Sequence, residues 1–177
     1  MSAITAETIK ELREQTSCGV MECKKALEEA GGDLPKAKEI LKQRGLELAA
    51  KKGSRDAKEG RIEAYIHQGA KIGVIVEVNC ETDFVASNEA FCQLTRDIAM
   101  HIAAVNPKYV RKDDVPEEEL KAQSNPEEYI KEVCLYAQNF IKDSSKTVEE
   151  LITAQVASIG ENITVSRFIR YKVNEVD

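Results

Sequence analysis

The spacing of the apolar residues changes near residue 61, and this change limits the possible folds more than any other property of the sequence. Before residue 51 the apolar residues recur every three or four positions, as in amphipathic helices, whereas after residue 61 they alternate with polar residues, as in strands. Residues 51–61 (KKGSRDAKEGR) separate the two patterns and contain five basic residues, two acidic residues and two glycines. We therefore expect a helical domain over 1–50, a basic linker over 51–61 and a second domain over 62–177.

Three short helices are predicted in the N-terminal domain. The first is expected to end near residues 17–19, and the second to stop at the glycine pair 31–32. Asp33 is placed to cap the third helix, and Gly45 is expected to end it. The inward face of the second helix is predicted to consist of Val20, Cys23, Leu27 and Ala30.

The second domain is predicted to combine a small antiparallel sheet with helices. Strand patterns cover 61–67, 71–80 and 162–173, and helical patterns cover 88–105, 126–138 and 147–159. Helices that are segregated from a three-stranded antiparallel sheet define an α+β fold. In the first strand, Ile62, Ala64 and Ile66 alternate with Glu63, Tyr65 and His67. In the last strand, one face is predicted to carry Ile163, Val165, Ile169, Tyr171 and Val173.

The charge balance restricts the possible partners. With 31 acidic and 25 basic residues the chain carries a net charge of −6, so no direct nucleic-acid or membrane partner is expected. The segment 113–132 contains eight acidic and two basic residues and accounts for the whole net charge. No stretch approaches 18 uncharged apolar residues, and the first residues lack the apolar core of a signal peptide, so a cytoplasmic protein is expected.

The sequence offers little support for catalysis. It contains no glycine-rich phosphate-binding motif, no nucleophile elbow and no zinc-protease motif. Its five cysteines form no CxxC pair and accompany only two histidines, which favours reduced thiols over a zinc site. No catalytic residue, metal or cofactor is therefore predicted. A cysteine-dependent enzyme that uses Cys18 or Cys23, near the start of the second helix, is the weaker hypothesis.

Two stretches are candidates for recognition of a partner. Residues 79–89 (NCETDFVASNE) leave a strand and enter a helix, and Phe84 is either the last core residue of that strand or an exposed apolar tip beside Asp83. Met21 is predicted to lie outside the apolar face of the second helix, where it could form part of a docking surface. Of the two histidines, His67 favours an exposed contact role and His101 a packed, structural one.

Several segments together carry a family pattern. The chain closely resembles elongation factor Ts, the guanine-nucleotide exchange factor of the GTPase elongation factor Tu, and the NCETDFVA stretch is the most specific part of the match. The resemblance rests on residues 12–33 (LREQTSCGVMECKKALEEAGGD), 49–52 (AAKK), 65–91 (YIHQGAKIGVIVEVNCETDFVASNEAF), 100–110 (MHIAAVNPKYV), 138–151 (QNFIKDSSKTVEEL) and 159–171 (IGENITVSRFIRY).

The resemblance implies a three-helix domain of the ubiquitin-associated (UBA)-like type that binds the GTPase domain of Tu, followed by a core domain. Residues that match family positions in contact with Tu are Arg13, Met21, Lys24 and His67, and Val20 occupies another such position that is usually held by Met. Thr82, Asp83, Phe84 and Val85 match the family motif that reaches the nucleotide site of Tu. The implied mechanism is insertion of Phe84 and Asp83 near the Mg²⁺ and phosphates, which weakens GDP binding without covalent chemistry.

The resemblance also implies an assembly. This chain has one core subdomain, like the short members of the family, whose cores pair into a homodimer. Its segment between Pro107 and Gln138 is shorter than in typical short members, and Ile169 stands where some members place a cysteine that bridges two subunits, so no disulfide-linked dimer is expected there. The main alternative function is a UBA-like adaptor that binds a partner without exchange activity.

Overall fold

The structure is a computed structural model that describes residues 4–16 and 18–175. The chain divides into two compact units. The helical unit comprises residues 1–55 and 153–162, and the sheet unit comprises residues 56–152 and 163–177.

The helical unit contains the three predicted helices, α1 (Ala6–Thr16), α2 (Val20–Glu29) and α3 (Leu34–Lys52). Thr5 caps α1 through its hydroxyl, which accepts from the Thr8 amide at 3.2 Å, and Asp33 caps α3 by accepting from the Lys36 amide at 2.8 Å. Residue 17, where the first helix was expected to end, lies outside the described residues. The core of this unit is formed by Leu12, Cys23, Ala26, Leu27, Ala30, Ala37 and Leu41.

Two expectations for the helical unit are wrong. Gly45 does not end α3, because the helix continues to Lys52 and buries Gly45 against Ala157, whose Cβ is 3.4 Å from the position of an ideal Cβ at Gly45. Val20 does not belong to the inward face of α2, since it is 50% exposed. It is the first residue of α2 and lies at the margin of a stripe whose buried members are Cys23, Ala26 and Leu27.

The sheet unit is built on three antiparallel strands in the order β1 (Glu59–Ile66), β2 (Ile72–Cys80) and β5 (Thr164–Lys172). The predicted α+β class is therefore confirmed. The inner face of β2 carries Val74, Val76, Val78 and Cys80, all buried. Helix α5 (Glu89–Val105) packs on β1 and β2 and buries Phe91, Leu94, Ile98 and Ile102, while Val105, its last residue, is 39% exposed.

The remaining elements lie between β2 and β5. They are α4 (Asp83–Ala86), a 3₁₀ turn (Lys112–Asp114), α6 (Glu117–Lys121), α7 (Pro126–Val133), the hairpin of β3 (Asn139–Phe140) and β4 (Asp143–Thr147), and α8 (Val148–Ile159), which contributes to both units. The helix expected over 126–138 ends at Val133 and is followed by a 3₁₀ turn, Leu135–Ala137. Thr147 and Glu150 form a capping box at the start of α8: the Thr147 amide donates to the Glu150 carboxylate at 3.0 Å, and the Glu150 amide donates to the Thr147 hydroxyl at 3.2 Å.

The strand β5 corrects the expectation that its apolar residues share one face. A bulge lies where Glu77 pairs with Arg167 and Val78 pairs with Val165, so that one extra residue enters β5. Ile163 and Val165 are consequently buried, while Ile169, Tyr171 and Val173 lie on the outer face with 44%, 62% and 57% exposure.

Candidate functional site

The chain leaves β2 at Cys80 and forms α4, a single helical turn that carries the TDFV sequence. Thr82 is its N-cap: the Thr82 hydroxyl accepts from the Val85 amide at 3.4 Å, and the Thr82 carbonyl accepts from the Ala86 amide at 3.1 Å. Asn88 then caps α5 by accepting from the Ala90 amide at 2.8 Å. Two helix caps within seven residues therefore define the backbone of this segment.

Phe84 is 85% exposed at the tip of α4. It is not the last core residue of β2, because the strand ends at Cys80 and the Phe84 ring faces away from the core. Asp83 beside it is exposed as well, and Val85 and Thr82 are half-buried. Burial of a Phe side chain is worth about 1.5–3 kcal/mol, and folding leaves this contribution unused at Phe84. Aromatic side chains are enriched in protein–protein interfaces, so the exposed ring is a candidate contact.

Three of the four candidate docking residues of the helical unit share one exposed region of α2. Val20 and Met21 are 50% and 62% exposed. Lys24 lies four positions after Val20 and three positions after Met21, so it is a neighbour of both on the helix surface. The Lys24 ammonium is 3.9 Å from the Glu28 carboxylate. Arg13 is exposed on α1. The predicted exposure of Met21 is therefore confirmed, and Val20 adds a second apolar side chain to the same surface.

His67 lies at the other end of the β1–β2 hairpin from α4. It is exposed, and its Nδ1 is 3.1 Å from the hydroxyl of Tyr65. Its amide donates to the carbonyl of Ile72 at 2.9 Å, which closes the hairpin. The length of β2 separates the two ends by about 25–30 Å. The structure thus does not bring His67 and Phe84 together within the sheet unit.

Sequence reasoning missed the outer face of the sheet. Ile62 and Ile66 of β1 are each 65% exposed, and Ile75 of β2 is 48% exposed. Ile75 pairs with Ala64 on one side and with Ile169 on the other, so the apolar residues are contiguous across all three strands. We call this surface the outer sheet face; its members are Ile62, Ala64, Ile66, Ile75, Ile169 and Tyr171. The sequence does show that Ile62, Ala64 and Ile66 alternate with polar residues in β1. That alternation does not determine whether these apolar residues face the core or the solvent.

The structure offers no support for the cysteine-dependent enzyme. Burial raises the pKa of the Cys18 thiol, which opposes formation of a reactive thiolate, and Cys23 is fully buried. Within residues 4–16 and 18–175 no three His, Cys, Asp or Glu side chains are arranged to hold a metal ion. No helix of the described chain is long and apolar enough to cross a membrane.

The fold and the site define a two-unit α+β protein that exposes Met21 on its helical unit and Phe84 on a capped turn of its sheet unit. Comparison with known proteins identifies the family. The family model described as "Elongation factor TS" matches residues 36–126 and 125–175. The chain is 49% identical to elongation factor Ts of Carboxydothermus hydrogenoformans over 195 residues, covering 97% of this chain and 90% of that protein. The chain belongs to the elongation factor Ts family.

Further relatives match over their full length. Elongation factor Ts of Thermodesulfovibrio yellowstonii is 50% identical over 98% of both chains, and that of Thermosipho melanesiensis is 48% identical over 97% of this chain and 100% of the relative. The aligned span of 195 residues exceeds the 177 of this chain, so these relatives carry residues that it lacks. The two stretches matched by the family model meet at residues 125–126, inside the segment between Pro107 and Gln138.

Proposed function

We propose that this protein is a guanine-nucleotide exchange factor that accelerates release of GDP from elongation factor Tu in the cytoplasm. The observation that carries the proposal is the 85% exposure of Phe84 on a turn whose backbone is capped at both ends. Family membership supports Tu as the partner. The exposed surface of α2, with Met21 and Lys24, docks the GTPase domain of Tu, and α4 reaches its nucleotide site.

The mechanism requires no covalent step. Phe84 inserts between side chains near the Mg²⁺ and phosphate site of Tu, and Asp83 brings a negative charge close to the bound diphosphate. Both effects weaken GDP binding, and because coupling is reciprocal, GDP and Mg²⁺ weaken binding of this protein by the same factor. An acceleration of GDP release by about 10³–10⁴ corresponds to about 4–5.5 kcal/mol at the dissociation barrier. One aromatic hot spot together with lost Mg²⁺ contacts can supply an effect of this size.

The test is the release of a fluorescent GDP analogue from purified Tu. The wild-type protein should accelerate it, and Phe84→Ala should lower the acceleration by about 30-fold, the effect of a hot spot of about 2 kcal/mol. Because Phe84 is exposed, the substitution should leave the unfolding midpoint unchanged. Ile141→Ala is the matched control, since Ile141 is a 47% exposed apolar residue of the same unit.

Two results would overturn the proposal. If the wild-type protein binds Tu but leaves GDP release unchanged, it is the UBA-like adaptor that the sequence also permits. If Phe84→Ala is as active as wild type, the exchange activity does not depend on α4. Met21→Ala should separate docking from exchange, because it should weaken the complex while the rate at saturating concentration stays close to that of wild type.

The protein is further proposed to form a homodimer through the outer sheet face. The apolar residues of this face are contiguous across three strands, with Ile75 and Ile169 paired at the centre. At one margin Arg167 pairs with Glu77 at 2.7 Å, which supplies a polar rim. A two-fold axis through the centre would place the same apolar patch on both sides, as isologous interfaces require. A second copy would thereby remove from water the isoleucines that the isolated unit leaves exposed.

A further inference from the structure

Helix α4 lies against β1, β2 and α5, but the Phe84 ring itself is not held by packing. All four of its residues are exposed or half-buried, and the Phe84 ring is 85% exposed. A single helical turn is marginally stable by itself, because its nucleation cost is not repaid by further hydrogen bonds. The direction of the ring therefore depends on the contacts that hold the turn, including those at its two ends.

Two cysteine thiols contact backbone carbonyls at the ends of α4. At the start, the Cys80 thiol donates to the Thr82 carbonyl at 3.1 Å. At the C-terminal end, the Cys92 thiol donates to the Ala86 carbonyl at 3.7 Å. A thiol is a weak donor, and 3.7 Å is a long contact even for sulfur, so Cys92 alone would restrain Ala86 only slightly.

Arg61 strengthens the contact between the Cys92 thiol and the C-terminal end of α4. Its Nη1 donates to the Cys92 sulfur at 3.0 Å, while its Nε donates to the Glu63 carboxylate at 2.9 Å. The Cys92 thiol thus accepts a hydrogen bond from the Arg61 guanidinium and donates one to the Ala86 carbonyl. In such a series each hydrogen bond polarises and strengthens the next.

Glu63 connects this arrangement to α5. The Glu63 side chain is 13% exposed, accepts from the Thr95 hydroxyl at 3.3 Å and lies 3.9 Å from the Arg96 guanidinium. Glu63 and Arg61 are neighbours on the inner face of β1. The polar contacts therefore run from Thr95 of α5 through Glu63 and Arg61 to Cys92, which also lies on α5, and from the Cys92 thiol to the carbonyl of Ala86.

We propose that Arg61 and Cys92 are positioning residues for nucleotide exchange. They hold the C-terminal end of α4 and thereby the direction of the Phe84 side chain. The inference rests on the proposed function and deepens it. If the turn samples several directions, only a fraction of the molecules is competent to engage Tu, and the apparent affinity falls by that fraction. Arg61 and Cys92 thus act on exchange through Phe84, without contact with the nucleotide site.

The first test uses the protein by itself. Arg61→Met keeps the apolar stem and removes the guanidinium. We expect the amides of Ala86 and Ser87, which bond within the turn, to exchange with deuterium about three- to tenfold faster in NMR spectra, the effect of one hydrogen bond. Arg96→Met is the matched control, because Arg96 is 59% exposed and pairs with Glu63 at 3.9 Å. Unchanged exchange in Arg61→Met, or an equal change in Arg96→Met, would overturn the proposal.

The second test measures GDP release from Tu as a function of protein concentration. Arg61→Met should raise the half-saturating concentration about three- to tenfold with little change in the maximal rate. In a Phe84→Ala background the same substitution should cause no further loss, because both changes act through one side chain. Additive losses would show that Arg61 acts elsewhere and would refute the assignment.

Cys92 has its own pair of variants. Cys92→Ser keeps a small donor and acceptor and should retain more activity than Cys92→Ala, whereas the reverse order would contradict the proposal. If the wild-type protein fails to accelerate GDP release, the proposed function fails, while the amide-exchange result still decides whether Arg61 fixes α4. The two failures are therefore distinguishable.

Discussion

Mild acid should destabilise the sheet unit through one histidine. His101 lies on α5 with no exposed surface, and its Nε2 is 3.0 Å from the Gln138 side-chain oxygen. The Ile141 amide donates to its Nδ1 at 3.2 Å, so Nδ1 is an acceptor and the ring proton resides on Nε2. Protonation of Nδ1 would point its new N–H at the N–H of Ile141, and the hydrogen bond between them would be lost. Burial lowers the pKa of His101, and the hydrogen bond with Gln138 offsets this only in part.

The sign and size of the effect follow from linkage. The folded pKa lies below the unfolded value of about 6.5, so as the pH falls below 6.5 the unfolded state binds more protons than the folded state. The stability contributed by neutral His101 is thus present above pH 6.5 and is lost in acid. One group changes the free energy of unfolding by at most about 1.4 kcal/mol between pH 7.5 and 5.5. Ordinary carboxyl groups titrate mainly below this range.

The measurement is urea unfolding followed by tyrosine fluorescence at pH 7.5 and 5.5. All five tyrosines belong to the sheet unit and the chain has no tryptophan, so the signal reports on this unit. His67→Gln is the control and should retain the pH dependence, since His67 is exposed. His101→Gln should lose it, and where that variant folds poorly, the NMR titration of the wild-type His101 ring gives the pKa directly. Equal stability at both pH values would refute the argument.

Two further substitutions probe the corrected fold and the proposed dimer. Gly45→Ala should stabilise the helical unit by about 0.5–1 kcal/mol, because Gly45 lies inside α3 and the new methyl group would meet Ala157 at contact distance. Urea unfolding followed by circular dichroism measures this change. A loss of stability would mean that the contact with Ala157 is already too tight. Ile75→Glu should convert the dimer into a monomer in light scattering while Ile141→Glu leaves it dimeric, and a monomeric wild-type protein would contradict the interface.

The sequence was sufficient where one local signal decided the structure. The strand pattern of β2 and the Asp33 cap of α3 were predicted correctly, because the apolar row of β2 allows one face only and the cap satisfies a definite amide. Gly45 misled because an isolated glycine is compatible with a helix end and with a close helix contact, and only the packing against Ala157 distinguishes them. The bulge in β5 had no sequence signal, so alternation counted through Ser166 gave the wrong face for Ile169.

The same limit applied to the candidate site. The exposure of Met21 followed from helical periodicity within α2. The exposure of Phe84 could not be predicted, because its sequence neighbours suit both a strand end and a turn, and the structure decides by ending β2 at Cys80. The link from Arg61 to Cys92 joins residues 31 positions apart, and a contact at that separation requires the register of β1 on β2 and the packing of α5.

The orientation of β1 explains why the outer sheet face and the Arg61 contacts occur together. Hydrophobicity alone would turn Ile62, Ala64 and Ile66 inward, but the hairpin register pairs Glu63 with Val76, and directly paired residues share a face. Because the valines of β2 must face the core, Arg61 and Glu63 are carried inward with them. A slip of one residue would bury the isoleucines and also remove Arg61 from Cys92. The hairpin turn therefore sets two properties at once: the apolar surface proposed for a second copy and the polar chain proposed to hold α4.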